Sequence, residues 1–404
     1  MKTTIISIGD ELLTGQTLNT NLTYLAKRLY PLGIQVENAA MIRDDKAAIF
    51  DALQNTKSDL VIFTGGLGPT QDDLTKESIC AYYHLSLVER PEVLERISSY
   101  FKRMKREMKP TNKKQAYFPK SAVVLDNHNG TAPGMLVEVE GKTIVLLPGP
   151  PSELQPMVGT MISHLKNYLD VPLVQRGYRL IGIGESDLEA EMQDFYLQYP
   201  KVNIAPYASV GEVVFIFTAK DEALLKPALR AFKKRFDRYI VGPHDESLES
   251  VVVHTLMDLK KVISLVESCS GGMLASRIVN VPDASKVFKE SYVLYDNHSK
   301  IKHLGINHHI IEKFGAVSEQ CVYELAYQLA QRTAADITVS ISGIAGPSGG
   351  SEEKPVGTVY FGLHTEGKTQ TDYKIFSGDR QMVRQKATSY ALYLVLKALM
   401  HDEN

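Results

Sequence analysis

Two groups of residues in this chain have the types and spacing to do chemistry. In the C-terminal part, ESCSGG (Glu267–Gly272) follows the apolar run Val262–Val266 and precedes a helical stretch. A serine at such a strand-to-helix turn is exposed, lies near a helix N-terminus and has glycine N–H groups beside it. Those are the requirements of a nucleophile with an oxyanion hole. A hydroxyl is a weak nucleophile and needs a base, yet no GxSxG motif is present and no histidine stands in a triad setting. A lysine serves if burial makes it neutral near pH 7, and YDNHSK (Tyr295–Lys300) supplies Lys300 with Tyr295 and Asn297 nearby. SGIAGPSGG (Ser342–Gly350), followed by EEKPVGT (Glu352–Thr358), is a glycine-rich loop after an apolar strand, a natural seat for phosphate. Each motif alone has a plainer meaning. A serine in a glycine turn is ordinarily an N-cap, a lone lysine a surface group, and Cys269 a buried structural cysteine. Only the three together favour catalysis.

The N-terminal part gathers glycines and carboxylates in GDELLTGQTLNTN (Gly9–Asn21), TGGLGPTQDDLTKE (Thr64–Glu77), GTAPG (Gly130–Gly134) and LPGPPSEL (Leu147–Leu154). Consecutive glycines let backbone N–H groups approach an anion closely. Asp10, Glu11, Asp72, Asp73 and Glu153 offer oxygen ligands to a hard divalent cation. The combination suits a phosphate ester or diphosphate bridged by a metal. Taken singly, each loop reads equally well as a turn whose Asp or Asn caps the next helix.

These loops need elements to hold them. Thr3–Ile8, Leu60–Phe63 and Thr143–Leu147 read as short buried strands, each running into a Gly or Pro loop. Asn21–Leu32 has the apolar spacing of a helix. Strands alternating with helices imply a mostly parallel sheet covered on both faces, with ligands beyond the carboxyl ends of the strands. After a change of texture near 166–178 comes a small α+β stretch: strand Tyr178–Ile183, helix Ser186–Tyr196, strand Glu212–Thr218 and helix Glu222–Phe236. Pro243–Ser247 reads as a linker. The last part again mixes strands (Val262–Val266, Ile337–Ser342, Val356–Leu363) with helices (Glu319–Arg332, Gln381–Met400).

Composition bounds what remains. The 404 residues predict two or three domains. Lys+Arg 45 against Asp+Glu 47 leaves no broad electrostatic footprint for nucleic acid. The three cysteines, Cys80, Cys269 and Cys321, are far apart, supporting neither a disulfide framework nor a cysteine zinc site. The opening MKTTIISIGDELLTG is too short and strand-like for a signal peptide, and no apolar stretch approaches a membrane span. A soluble, cytoplasmic protein is expected, so the triplets at Asn21, Asn129 and Asn297 carry no glycosylation meaning.

GDELLTGQTLNTN, TGGLGPTQDD, TNKKQA (Thr111–Ala116), NGTAPG and LPGPPSEL resemble the N-terminal domain of the CinA (competence/damage-inducible protein A) family. That domain is similar in fold to molybdopterin-binding domains, a three-layer α/β arrangement. The resemblance implies a metal-dependent ADP-ribose pyrophosphatase giving AMP and ribose 5-phosphate. Gly65, Gly66, Gly68 and Thr70 would cradle phosphate or ribose, with Asn21 and Gly149 also binding substrate. Asp10, Glu11, Asp72, Asp73 and Glu153 would organise Co2+, Mn2+ or Mg2+, with or without a monovalent cation. GIGESDLEAEM (Gly182–Met192) resembles the start of the family's small KH-like α+β module. Gly182-Ile183-Gly184-Glu185 lacks the basic character of an RNA-binding GXXG loop, and Lys201 and Lys233–Arg235 read as a solvated helix face. We therefore read the module as a spacer or dimer contact.

ESCSGG, YDNHSK, GAVS (Gly315–Ser318), SGIAGPSGG and GDRQMVR (Gly378–Arg384) resemble the family's C-terminal nicotinamide mononucleotide (NMN) deamidase domain, an α/β amidohydrolase with no cofactor. The resemblance implies a Ser/Lys dyad releasing ammonia and nicotinate mononucleotide. Ser268 takes the nucleophile position and Lys300 the base position. Tyr295 and Asn297 take polar positions, and Ser342 a position held by Thr or Ser. Backbone amides near Gly271 and Gly272 would hold the oxyanion. Gly343, Gly346, Gly349 and Gly350 would line the substrate, and Arg380 or Arg384 would hold the phosphate. Asp283 and Ser291 stand where the family usually has Gly, which matters if either backbone needs a positive φ. The expected domains are 1–167, 168–245 and 246–404. The expected partners are the small molecules NMN and ADP-ribose and a second copy in a homodimer, with neither membrane nor nucleic acid. The rival readings are a non-catalytic nucleotide- or molybdopterin-binding protein, and a competence or DNA-damage partner protein with a degraded deamidase domain.

Overall fold

In β1 (Lys2–Ile8), β3 (Leu60–Thr64) and β8 (Lys142–Leu147) every residue but the leading lysines of β1 and β8 is buried, as in a strand covered on both faces. Successive side chains divide between two cores. Ile5, Leu60, Ile62, Val145 and Leu147 enter one; Ile6, Ile8, Val61, Phe63, Ile144 and Leu146 enter the other. The computed structural model in which this is seen describes residues 2–165 and 172–401. The chain divides into two compact units, Met1–Val174 and Gln175–Asn404. The expected boundary at 167/168 lies outside the described residues.

The first unit also contains α1 (Asp10–Leu13), α2 (Thr20–Leu29), β2 (Gln35–Ile42), α3 (Lys46–Asn55), α4 (Thr75–Tyr82), β4 (Leu87–Glu89), α5 (Pro91–Arg103), β5 (Tyr117–Pro119), β6 (Val123–Leu125), β7 (Gly134–Val139) and α6 (Pro151–His164). The sheet order is β2-β1-β3-β8-β7-β6. The first four strands are parallel and the last two antiparallel. Register aligns Ile5 with Ile62 and Ile62 with Val145, so the loops after β1, β3 and β8 emerge together at one edge. The expected helix Asn21–Leu32 stops at Leu29 and tightens into a 3-10 turn over Tyr30–Leu32. Pro31 has no N–H to continue the α-helical ladder.

The division falls at the first residue of β9 (Val174–Leu180), and the second unit continues with α7 (Glu185–Gln198), β10 (Asn203–Ser209), β11 (Glu212–Ala219), α8 (Glu222–Phe236) and β12 (Ile240–Pro243), in sheet order β10-β11-β9-β12. Phe195, Phe215, Phe217, Phe232 and Phe236, all fully buried, fill this module. It is followed by α9 (Leu248–Asp258), β13 (Ile263–Glu267), α10 (Met273–Val279), β14 (Phe288–Val293), α11 (Asn297–Leu304), α12 (His308–Phe314), α13 (Glu319–Thr333), β15 (Ile337–Gly343), β16 (Thr358–Thr365), β17 (Lys368–Ile375) and α14 (Arg380–His401). Their sheet runs β14-β13-β15-β16-β17, with the first three strands parallel. β16 begins two residues later than Val356 because Gly357 turns the chain at φ +97°. The whole is mixed α/β. Among the described residues no helix is long and apolar enough to cross a membrane.

Candidate functional site

In the second unit the parallel pair β13–β15 sets the geometry. Glu267 pairs with Ile341, and the Ser268 N–H donates to the Ile341 carbonyl at 3.0 Å. Ser268 and Ser342 thus leave neighbouring strands at the same carboxyl edge. Directly after Ser268 the chain reverses through Gly271 (φ +61°) and Gly272 (φ +87°) into α10, a left-handed pair that glycine adopts without steric cost. Glu267, fully buried, accepts from the Leu274 and Ala275 N–H groups at 3.0 and 2.8 Å. Its carboxylate satisfies the first turn of α10 and fixes the helix relative to the strand. Arg384 donates through Nε and Nη2 to the Ser270 carbonyl at 3.3 and 2.8 Å, clamping the turn from α14.

Lys300 reaches the same place from α11. It is 1% exposed. Its Nζ lies 3.2 Å from Ser268 Oγ, 2.7 Å from the Leu294 carbonyl and 3.2 Å from the Tyr295 carbonyl. Burial holds its pKa below the ordinary lysine value, against the opposing pull of Cys321, Asp296 and Cys269. A neutral amine could satisfy all three neighbours, with its two N–H bonds given to the carbonyls and its lone pair left for the serine hydroxyl. Cys269 is also buried, and burial pushes its thiol up to about 12. No thiolate is offered there near neutral pH.

The remaining candidates divide. Tyr295 is 62% exposed, and its hydroxyl accepts from Arg380 Nη2 at 3.0 Å while Arg380 Nη1 donates to the Gly346 carbonyl at 2.7 Å. These bonds tie α14, the segment before α11 and the glycine loop into one rim. Asn297 is exposed in the first turn of α11, whose cap is Asp296. Ser342 is buried and donates to the Ala316 carbonyl at 2.7 Å, holding the GAVS segment rather than Ser268 or Lys300. Lys354 donates to the Phe314 carbonyl just before that segment and to the Val317 carbonyl within it. Gly343 ends β15, and Gly349 and Gly350 are exposed on the loop. The Gly271 N–H donates to the Ser268 carbonyl at 3.1 Å, so it is engaged within the turn. Of the two departures from the family pattern, Asp283 does adopt a positive φ of +66°. Ser291 lies in β14, where its buried Oγ has no partner.

In the first unit a cavity of about 360 Å3 opens at the carboxyl edge of β1, β3 and β8. Glu11, Asp44, Asp73, Glu153, Gly65, Gly66, Gly68 and Gly149 are among its walls. Asp10 and Asp72 stand outside that lining and are exposed, Asp10 beside Arg43 at 3.5 Å. Thr70 and Asn21 also lie outside it. Thr70 donates to Asp73 Oδ2 through N–H (2.9 Å) and Oγ1 (2.6 Å), closing its loop, and Asn21 Nδ2 donates to the Gly149 carbonyl at 2.6 Å. The TNKKQA segment latches the same loop: Lys114 Nζ bonds the Thr70 and Asp73 carbonyls, and Gln115 Nε2 the Leu67 carbonyl at 3.1 Å.

Asp44, absent from the candidates drawn from sequence, has the most perturbed carboxylate in this cavity. Burial first, then the charges of Asp73, Asp72 and Asp10, push it up to about 6. Its Oδ1 is buried without a hydrogen-bond partner, as are Thr75 Oγ1 and Asn21 Oδ1. Gly66 (φ +64°) permits this crowding, because a Cβ there would sit 2.0 Å from Thr75 Oγ1 and 3.1 Å from Asp44 Oδ1. Four carboxylates line this one cavity with an unsatisfied oxygen among them, oxygen donors of the kind a hard divalent cation takes, but no three of them bring ligand oxygens within 4.8 Å of one another.

Three family profiles match the chain in sequence order. They are described as a probable molybdopterin binding domain (residues 4–167), the damage-inducible protein CinA KH domain (175–242) and the CinA C-terminal domain (245–399). A "CinA-like protein" of Kosmotoga olearia is 42% identical over 409 residues, covering 99% of this chain and 99% of its own. A "putative competence-damage inducible protein" of Alkaliphilus metalliredigens is likewise 42% identical, covering 99% of this chain and all of the relative. A crystal structure titled as a competence or damage-inducible protein from Enterobacter asburiae is 34% identical, covering 38% of this chain and 99% of that one, with a TM-score of 0.37.

Proposed function

This chain belongs to the CinA family, and from that premise we propose a hydrolase of two nucleotides: NMN in the C-terminal domain and ADP-ribose in the N-terminal domain. The observation that carries the first activity is the buried Lys300 Nζ, 3.2 Å from Ser268 Oγ. Ser268 Oγ attacks the carboxamide carbon while its proton passes to the Lys300 amine. The oxyanion forms beside the glycine turn, where the Ser270 and Gly272 N–H groups have no acceptor among the described residues. Collapse breaks the C–N bond, Lys300 returns the proton to the departing nitrogen, and ammonia leaves. Water, deprotonated by the same amine, then cleaves the Ser268 ester and yields the carboxylate. Arg380, beside Tyr295 on the rim, or Arg384 would meet the phosphate.

The second activity rests on the all-oxygen cavity. Glu11, Asp44, Asp73 and Glu153 would hold Co2+, Mn2+ or Mg2+, which when bound supplies charge neutralisation and Lewis acidity at a diphosphate. The Gly66–Gly68 backbone would offer N–H groups to the phosphates, the Gly65 N–H being donated to the Leu147 carbonyl, and the TNKKQA latch keeps that loop in place. A second cavity of about 590 Å3 borders the first at Thr131, which suits a two-part substrate. Homodimer formation and a cytoplasmic location belong to the same proposal, and the homodimer rests on the family resemblance alone. Incubation with ADP-ribose and with NMN, with and without a chelator, tests the division. AMP formation should stop on chelation while ammonia release continues. Binding of either nucleotide with no product, metal present, would refute the catalytic reading of that domain.

A further inference from the structure

We infer that His308, His309 and Glu312 form a second metal site, on α12, that takes a borderline-soft divalent ion such as Zn2+ or Ni2+. Their ligand atoms all lie within 4.8 Å of one another. His309 Nδ1 is 3.2 Å from Glu312 Oε2. Two ligands bonded at 2.0–2.1 Å to a tetrahedral ion are about 3.3 Å apart, so this pair already spans one edge of such a site. His308 stands one helical turn before Glu312, at the i, i+4 spacing that brings side chains onto one face. The two imidazole rings lie 3.9 Å apart between centroids.

The backbone of this turn is held from both sides. Asn307 caps α12 by accepting from the His309 N–H at 3.1 Å. Ile310 and Ile311 pack against the core around Leu304, Ile306, Cys321 and Leu325, which leaves the three ligands on the exposed side. Water can complete the coordination there. The donor set differs in kind from the carboxylates of the first unit. Two imidazoles favour Zn2+, Ni2+, Co2+ or Cu2+, whereas oxygen ligands alone favour Mg2+ or Mn2+. The site also has a defined neighbourhood: α12 joins α11, which carries Lys300, to the GAVS segment that Ser342 and Lys354 hold.

The test is a calorimetric Ni2+ titration of the full chain after chelator treatment, in excess Mg2+ to occupy oxygen-only ligands. The account predicts one micromolar-class site whose affinity falls at least tenfold in the His308→Ala/His309→Ala double variant and also weakens in Glu312→Gln. With Cu2+ as the probe, electron paramagnetic resonance should show nitrogen coupling that disappears in the double variant. All three residues are exposed, so the variants should keep the parent's thermal melt. Unchanged Ni2+ affinity in the double variant, or binding only at millimolar Ni2+, would overturn the site.

Discussion

Replacing Lys300 by Met tests the dyad with the least disturbance of shape. Methionine is unbranched and similar in length, so it fills the buried channel from α11 to Ser268. The substitution removes three contacts: 3.2 Å to Ser268 Oγ, 2.7 Å to the Leu294 carbonyl and 3.2 Å to the Tyr295 carbonyl. Loss of a general base costs about 10^2- to 10^4-fold in rate, or roughly 3–5 kcal/mol of barrier. If serine and lysine act as one unit, removing either should cost about the same. The effect on stability is smaller because two terms oppose. Two carbonyls lose a donor, at about 1–3 kcal/mol each, while the chain no longer buries an amine. The net should lie within about 2 kcal/mol. Ammonia release from NMN under saturating and limiting substrate separates kcat from KM, and a thermal melt checks the fold. The expected result is a fall in kcat of at least a hundredfold with a retained cooperative melt and near-parental KM. A well-folded variant with less than a tenfold fall in kcat would refute the assignment of Lys300 as base.

Three further outcomes follow from the same structure. Deamidase kcat/KM should rise with pH along a limb set by Lys300. Burial lowers that pKa, so the midpoint should lie below the 10.5 of a free lysine, and a pH–rate profile with a midpoint at or above 10.5 contradicts it. Asp44, raised from 3.8 to about 6, adds stability that is fully present below 3.8 and lost as pH rises through about 6. In chelator-treated protein at pH 8, Asp44→Asn should therefore stabilise the first unit. Partial exposure discounts the gain to about 1 kcal/mol, read by denaturant unfolding, and the same variant should lose its metal-dependent ADP-ribose turnover. Asp283→Val should destabilise by about 1–2 kcal/mol, because a β-branched side chain fits poorly at φ +66°; an unchanged melt would show that this turn relaxes.

What could be read from the chain follows its burial. β1, β3 and β8 were legible because both their faces are covered: β3 and β8 carry the apolar runs LVIF and IVLL, and β1 sets Ile5, Ile6 and Ile8 among the β-branched Thr3 and Thr4. The edge strands were not. β2 is mostly exposed and reads QVENAAMI, and β17 reads KTQTDYKI, so neither shows the β-branched apolar run of a strand covered on both faces. Ser268 and Lys300 could be singled out by motif, and the structure brings them into contact across 32 positions of sequence. Asp44 could not. It sits in IRDDK beside Asp45, which caps α3, and nothing local separates the capping carboxylate from the one facing the cavity. Only the pairing of β2 with β1 brings it to Gly66. Ser342 shows a different limit. Its place at the strand end was readable, whereas its bond to the Ala316 carbonyl depends on where the GAVS segment packs.

The central claim is a metal-independent Ser/Lys amidase in the C-terminal domain. Its most direct measurement is ammonia release from NMN by the parent chain and by Ser268→Ala, both in the presence of a chelator. Undiminished release by the parent and none above background by the variant is the expected result. Equal rates from the two proteins, or loss of the parent's activity on chelation, would contradict it.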